Sequence, residues 1–400
     1  MVSLPEDFVR ETRLVMGDER YNRFVEAFNE EAPTSIRMNP LHRGTVPSVQ
    51  QVPWCPEGFY LSGRPQFTFD PLFHTGCYYV QEASSMFICH VLRLFVKEPV
   101  AMLDLCAAPG GKSTAARTVL PEGSTLVSNE PIAVRAQILL ENITKWGWKD
   151  CVVTNNYPRD FRKAKAKFDV ILCDVPCSGE GMFRKDPNAI SEWSLQNVEK
   201  CWRLQREIVA DAWECLNPGG VMIYSTCTYN TKENEENVRW IVENYDAEIL
   251  SVPTDPSWSI TGSLLERFDA PVYRFIPGYT KGEGLFMAVL RKKNFNLGPG
   301  PSRRFLMSGP DPSIKILKAE MPEGEFPKVD LPYSEALRYL RGEALVLPAD
   351  TPKGFVTITY KGVPLGPVKN IGNRANNLYP KPWRIKTTHL PTEEIKIIDI

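Results

Sequence analysis

Between residues 99 and 293, short and nearly continuous apolar runs alternate with longer stretches of helical spacing. The runs are VAMLDLC, STLVSNE, DCVVTNN, FDVILCDVP and GGVMIYSTC. The helical patterns are clearest from Ala133 to Lys145 and from Glu192 to Leu216. Strands that are apolar on both faces and alternate with helices predict a parallel, doubly wound α/β sheet. The later runs PVYRFIP and GLFMAVLRK predict a closing antiparallel pair. In such sheets ligands bind beyond the carboxyl ends of the strands, so the polar residues at those ends carry the chemistry.

The flanks are patterned differently. Asp7 to Glu31 predicts a helix, and Pro40 to Pro65, rich in Pro and Gly, predicts a loop. After the strand-helix zone, NLGPGPSRRFLMSGPDPS predicts a linker. Beyond Leu331 come a predicted helix (Ser334 to Arg341) and β-type runs such as FVTITYKG. The zones divide the chain at 1–97, 98–293, 294–330 and 331–400, and its 400 residues fit two or three domains. No apolar run reaches the ~18 residues that a membrane span needs. The start MVSLPEDFVRETRL lacks the apolar core of a secretion signal. The expectation is a cytoplasmic protein with no membrane partner.

Ten scattered cysteines without a CxxC pair, and only four histidines, argue against a zinc site or a disulfide framework. Net charge is −1, but its placement is uneven. From Pro352 to His389 there is no acid, while Lys353, Lys361, Lys369, Arg374, Lys381, Arg384 and Lys386 are present. That is either a solvated face or a surface for nucleic acid.

The first run leads into CAAPGGKS, which resembles a phosphate loop. The pattern G-x-x-x-x-G-K-[ST] places its first glycine at Cys106, and Pro109 removes a backbone donor. The fit is poor. The alternative is a nucleoside-binding turn, with an acid at the end of the second strand on the ribose hydroxyls. Glu130 sits there, unless it only caps the next helix. The pattern alone does not separate a nicotinamide cofactor from S-adenosylmethionine.

The fourth strand ends in DVPCSGEG, with Asp174 and Cys177, and the fifth in STCTY, with Cys227. Adjacent strands lie ~4.8 Å apart, so both thiols can face one pocket. Carbon 5 of a pyrimidine is a poor nucleophile until a thiolate adds to carbon 6; carbon 5 can then attack a methyl sulfonium. A carboxylate beside the ring offsets the developing charge, and a second thiol can assist breakdown of the adduct. The bland alternative is two structural cysteines or a redox pair.

Taken together, LDLCAAPGGK, DVPCSGEG and STCTY resemble the NOL1/NOP2/Sun family of RNA cytosine-C5 methyltransferases. TSIRMNP and YYVQEASSM resemble segments ahead of that family's catalytic domain. FRKDPNAISEW, STCTYNTKENEENV and the tail LGPVKNIGNRANNLYPKPWR resemble its bacterial 16S ribosomal RNA methyltransferase F (YebU-type) branch. The resemblance implies a Rossmann-like class I methyltransferase core with an N-terminal α/β extension and a C-terminal PUA-like RNA-binding region. It implies S-adenosylmethionine held by Cys106, Ala107, Ala108, Pro109, Gly110, Gly111 and Lys112, with Glu130 on the ribose and Arg135 beside it. Cys227 would be the nucleophile and Cys177 the release cysteine. Asp174 would touch cofactor and base, and Lys112 would orient the base.

Relatives usually read TNNDPRDF after the third strand, with that Asp on the adenine; here Tyr157 stands in its place. An amide oxygen from Asn156, a stacking Tyr157 ring or the backbone are the candidate substitutes. Arg159, Arg162, Lys163, Lys165 and Lys167 beside the pocket, and Tyr379 with Trp383 in the tail, are candidates for RNA contact. The implied partner is ribosomal RNA or the 30S subunit, with transfer RNA as the alternative substrate, and the expected state is a monomer. The rival from another class is an RNA-binding assembly factor without catalysis.

Overall fold

The structure is a computed structural model that describes residues 3–47, 50–293, 311–322, 324–387 and 389–400. The predicted runs form five parallel strands: β1 (Ala101–Asp104), β2 (Thr125–Asn129), β3 (Cys151–Thr154), β4 (Phe168–Asp174) and β5 (Leu216–Thr226). The strands β6 (Ala247–Ile249), β7 (Val272–Phe275), β8 (Leu285–Lys292) and β9 (Ile316–Leu317) complete a nine-stranded sheet among the described residues. Its order is β6-β8-β5-β4-β1-β2-β3-β9, with β7 also on β8. The predicted antiparallel pair is β7 and β8. The order reverses between β1 and β4, and at that switch point the connecting loops diverge and open a crevice.

Helices α1 (Gly111–Val119), α2 (Ala133–Trp146), α3 (Pro158–Lys163), α4 (Leu195–Cys215) and α5 (Glu235–Asn244) connect these strands. The long helix expected from Glu192 starts later. Trp193 is extended, and the Ser194 side chain accepts a hydrogen bond from the Asn197 N–H, capping α4 at Leu195. Val170, Leu172, Val221 and Ile223 pack toward one face of the sheet, and Ile171, Cys173, Met222 and Tyr224 toward the other. That two-sided burial explains the unbroken apolar runs.

Two expectations for the flanks change. The Pro40 to Pro65 segment is not simply a loop: Gln50–Val52 pairs with Cys55–Tyr60, which pairs in turn with Ser35–Met38. From Glu57 to Tyr60 burial alternates, with Gly58 and Tyr60 inward, as a strand requires. The predicted linker is not free along its described part: Ile316–Leu317 is β9, antiparallel to β3, and Lys328–Asp330 pairs with Gly354–Tyr360. Residues 294–310 of that linker lie outside the described residues.

The N- and C-terminal regions share one core. Ile36, Leu72 and Tyr78 pack with Leu337, Leu340, Val356 and Ile398, and Thr45 bridges to Asp399. From the N-terminal sheet the fully buried Arg37 reaches α1. Its guanidinium donates to Gln81 Oε1 (2.8 Å), Thr114 Oγ1 (2.6 Å) and Thr118 Oγ1 (3.1 Å), and lies over the Trp146 ring. A buried cation persists only when so partnered. The motifs TSIRMNP and YYVQEASSM therefore meet behind the glycine turn.

Candidate active site at the carboxyl edge of the central sheet

The turn after β1 is tied down at nearly every residue. Ala107 N–H donates to the Asn129 carbonyl (2.8 Å), Arg135 to the Ala108 carbonyl (3.0 Å) and Asn142 to the Pro109 carbonyl (2.8 Å). Gly110, the residue before α1, has φ 116°, a left-handed conformation that disfavours a side chain. Cys106 is buried among apolar neighbours, which pushes its thiol well up, so it is no thiolate.

At the end of β2, Glu130 is 1% exposed. Its Oε1 accepts from the Ile132 N–H (3.0 Å), so it does cap the following turn. Its Oε2 lies 3.6 Å from Arg135 Nη1 and has no hydrogen bond among the described residues. Asp104, at the end of β1, accepts from Ser113 Oγ (2.6 Å) through Oδ2 and likewise leaves Oδ1 without a partner. Burial raises Asp104 to about 7, with the Asp174 charge adding to the effect. Two buried acceptors of this kind fit a ligand that brings hydroxyls and positive charge, as S-adenosylmethionine does.

Across the switch point, Lys112 from α1 meets Asp174 from β4. Lys112 Nζ donates to Asp174 Oδ2 (2.9 Å), and Ser225 Oγ donates to Oδ1 (2.6 Å). Burial works to lower the Lys112 ammonium, but Asp174 outweighs it and the net shift is upward. Beyond Asp174 the two thiols come together, with Cys177 Sγ 3.2 Å from Cys227 Sγ. The hydrogen bond to Cys227 and burial push the Cys177 thiol well up. Cys177 therefore keeps its proton and can donate it toward the Cys227 sulfur.

Buried carboxylates hold both cysteine loops. Glu233 accepts from Ser178 N–H (3.0 Å), Gln205 Nε2 (2.7 Å) and Asn230 Nδ2 (2.9 Å). Burial, then the neighbouring Glu180 charge, raises Glu233 to about 7. Glu180 accepts from the Tyr229 and Asn230 N–H groups and from Trp193 Nε1. Gly181 N–H donates to the Cys227 carbonyl (2.7 Å), and a Cβ on Gly181 would sit 2.5 Å from that oxygen. Only glycine fits there.

The structure brings Cys227, Cys177, Asp174 and Lys112 together, with the Cys106 to Gly111 turn, Glu130 and Arg135 along the same edge. Asn156 is the exception. Its Oδ1 accepts from the Lys315 N–H (2.9 Å) and its Nδ2 donates to the Lys315 carbonyl (3.1 Å), so its amide is spent on holding β9. Tyr379 is also corrected. It is 2% exposed and packs on Tyr339, a core residue with no free face for RNA. Among the basic candidates, Arg162 pairs with Asp211, Lys361 with Glu394, and Arg384 donates to the Tyr379 carbonyl. Asp104, Ser225, Glu180 and Glu233 were not singled out. An acid ending an apolar strand, as in LDLC, was the signal for Asp104.

Comparisons with known proteins bear on the same regions. The family model described as 16S rRNA methyltransferase RsmB/F matches residues 91–291. The N-terminal domain of 16S rRNA methyltransferase RsmF matches 4–83, and the methyltransferase RsmF PUA domain matches 326–385. The chain is 32% identical over 397 residues to ribosomal RNA small subunit methyltransferase F of Cronobacter sakazakii, covering 93% of this chain and 82% of that protein. It is 34% identical over 307 residues to the protein of the same name from Serratia proteamaculans, covering 73% of this chain and 64% of that one. Among solved structures, a methyltransferase homolog protein from Pyrococcus horikoshii is 26% identical with TM-score 0.62, over 73% of this chain and 96% of that one. NSun6 from the same organism, solved with SFG, has TM-score 0.62 over 74% of this chain and all of that one; at 20% identity it shows the fold alone.

Proposed function

The chain belongs to the 16S rRNA methyltransferase RsmB/F family, and from that premise we propose that it is an S-adenosylmethionine-dependent RNA (cytosine-5) methyltransferase of 16S ribosomal RNA. The observation that carries the cytosine chemistry is the pair of thiols 3.2 Å apart at the ends of β4 and β5, beside the Asp174–Lys112 pair. We assign residues 98–293 to the methyltransferase domain. Residues 1–97 are the accessory RNA-binding part, and 294–330 lead from the methyltransferase domain to the PUA-like RNA-binding part at 331–400. The working form is a cytoplasmic monomer, and no described helix is long and apolar enough to cross a membrane.

When bound, S-adenosylmethionine supplies an electrophilic methyl group. The turn from Cys106 to Lys112, with Glu130 and Arg135, would hold it; the unpartnered Glu130 Oε2 would take its ribose hydroxyls and the unpartnered Asp104 Oδ1 its ammonium end. Cys227 Sγ adds to carbon 6 of an unpaired or flipped-out cytosine, and carbon 5 becomes nucleophilic. Asp174, fixed by Lys112 and Ser225, faces ring N3 and the exocyclic amine and offsets charge on the ring. Release requires that the carbon 5 proton leave and that the carbon 6–sulfur electron pair return to Cys227. Cys177 acts as the relay for that step: its thiol proton passes to the departing Cys227 sulfur as it takes up the carbon 5 proton.

The test is transfer of labelled methyl to naked 16S rRNA, 30S subunits and transfer RNA from a strain lacking the enzyme. Label in 5-methylcytosine of ribosomal RNA, lost with Cys227→Ala, supports the reading. Label in transfer RNA alone moves the substrate. Cofactor binding without transfer to any RNA overturns it.

A further inference from the structure

The departure at Tyr157 can be argued from the order of the strands. The thiols stand at β4 and β5, and Glu130 stands at β2. A cofactor with its methyl donor toward the thiols and its ribose on Glu130 sends its base onward, away from β4. The base then lies over the end of β3, at residues 155–157.

The backbone N–H groups and side-chain amides at that end are already engaged. The N–H groups of Asn155, Asn156 and Tyr157 donate to the Lys315 carbonyl (3.0 Å), Asn129 Oδ1 (3.0 Å) and Asp160 Oδ2 (2.9 Å). The Asn155 amide bonds the Glu130 and Pro131 carbonyls and takes Lys315 Nζ (3.0 Å). The Asn156 amide is clamped on the Lys315 backbone. Two large apolar faces are exposed beside them: the Tyr157 ring is 52% exposed, and Ile132, beyond the neighbouring β2, is 49% exposed. Arg159 lies over the Tyr157 ring at 5.1 Å.

We propose, resting on the cofactor reading above, that Tyr157 is a specificity-determining residue which binds the purine as a stacking face, so that the 6-amino group goes unread. Lys315, just ahead of β9, supports this, because it occupies both ends of the Asn156 amide and the Asn155 amide oxygen. The enzyme accordingly recognises its cofactor by ribose, sulfonium and amino-acid groups and accepts a purine altered at position 6.

Calorimetric titration of the full chain with S-adenosylhomocysteine and S-inosylhomocysteine tests this without turnover. Wild type binds both within about threefold, whereas a site that accepted a hydrogen bond from the amine loses roughly tenfold or more. Tyr157→Ala weakens both ligands alike, by about tenfold as for a lost base–aromatic stack, and Tyr157→Phe binds as wild type. Preference for the adenine ligand by tenfold or more in wild type overturns the inference and leaves the cofactor reading intact. Unchanged affinity in Tyr157→Ala overturns it as well. Binding of neither ligand removes the cofactor reading itself, and this inference with it.

Discussion

At the β4–β5 end of the crevice Asp174, Ser178, Glu180 and Glu233 all have hydrogen-bond partners. At the β1–β2 end, Glu130 Oε2 and Asp104 Oδ1 are buried without one among the described residues. The thiol end is therefore set by the protein alone. A network this fully satisfied fixes the two sulfurs before any ligand arrives, which is the arrangement that electrostatic and covalent catalysis need. The nucleoside end carries an unmet cost that a ligand relieves on binding. One end stores geometry and the other stores affinity.

The sharpest way to break this comparison is at the thiols. Cys227→Ala lowers methyl transfer by several orders of magnitude while cofactor affinity holds, and Cys177→Ala accumulates an RNA adduct that survives denaturation. Gel shift and titration read both, and cofactor affinity falling with Cys227→Ala would show that the ends are not separable. Next, Asp174→Asn lowers kcat by about 10²–10³-fold in a methyl-transfer assay, the usual effect of removing one charge-stabilising group.

At the other end, Glu130→Gln keeps the bond to the Ile132 N–H but removes a buried charge. Cofactor affinity then drops by about tenfold or more in a titration, while the melting temperature of the unliganded protein rises. Asp104 sharpens the same point through pH. Its folded value of about 7 exceeds its ordinary 3.8, so the folded chain keeps a proton that the unfolded chain has lost. That contribution is fully present below about pH 4 and disappears as pH rises through 7. Denaturant unfolding of Asp104→Asn therefore shows less loss of stability between pH 5 and 8 than wild type. The smallest expected effect is that of Ser225→Ala, about tenfold or less in kcat, because Lys112 still holds Asp174.

The sheet was legible because strands buried on both faces leave apolar runs, and the cysteines because each follows such a run. What was hidden depends on contacts distant in sequence. Asn156 reads as a free amide until Lys315, 159 residues away, is seen to occupy it. Tyr379 reads as a surface aromatic in a basic tail until Tyr339 is seen against it. The Cys55–Tyr60 strand was hidden for another reason: Pro and Gly dominate its surroundings, although burial alternates from Glu57 to Tyr60. The helix boundary at Leu195 turned on a local cap, Ser194, that sits in the sequence in plain view.

The shared core of the two termini has a consequence for how the chain is made. The apolar side chains Ile36, Leu72 and Tyr78 find their partners from Leu331 onward, roughly 250 residues later. At a synthesis rate of ~5–20 residues per second, the first sheet waits roughly 10–50 s for its cover. During that interval the catalytic sheet can finish folding while the N-terminal one still exposes an apolar face. The segment from Leu331 onward is thus the clasp that closes the N-terminal sheet, and a nascent chain stalled before it presents that face to chaperones or to other nascent chains.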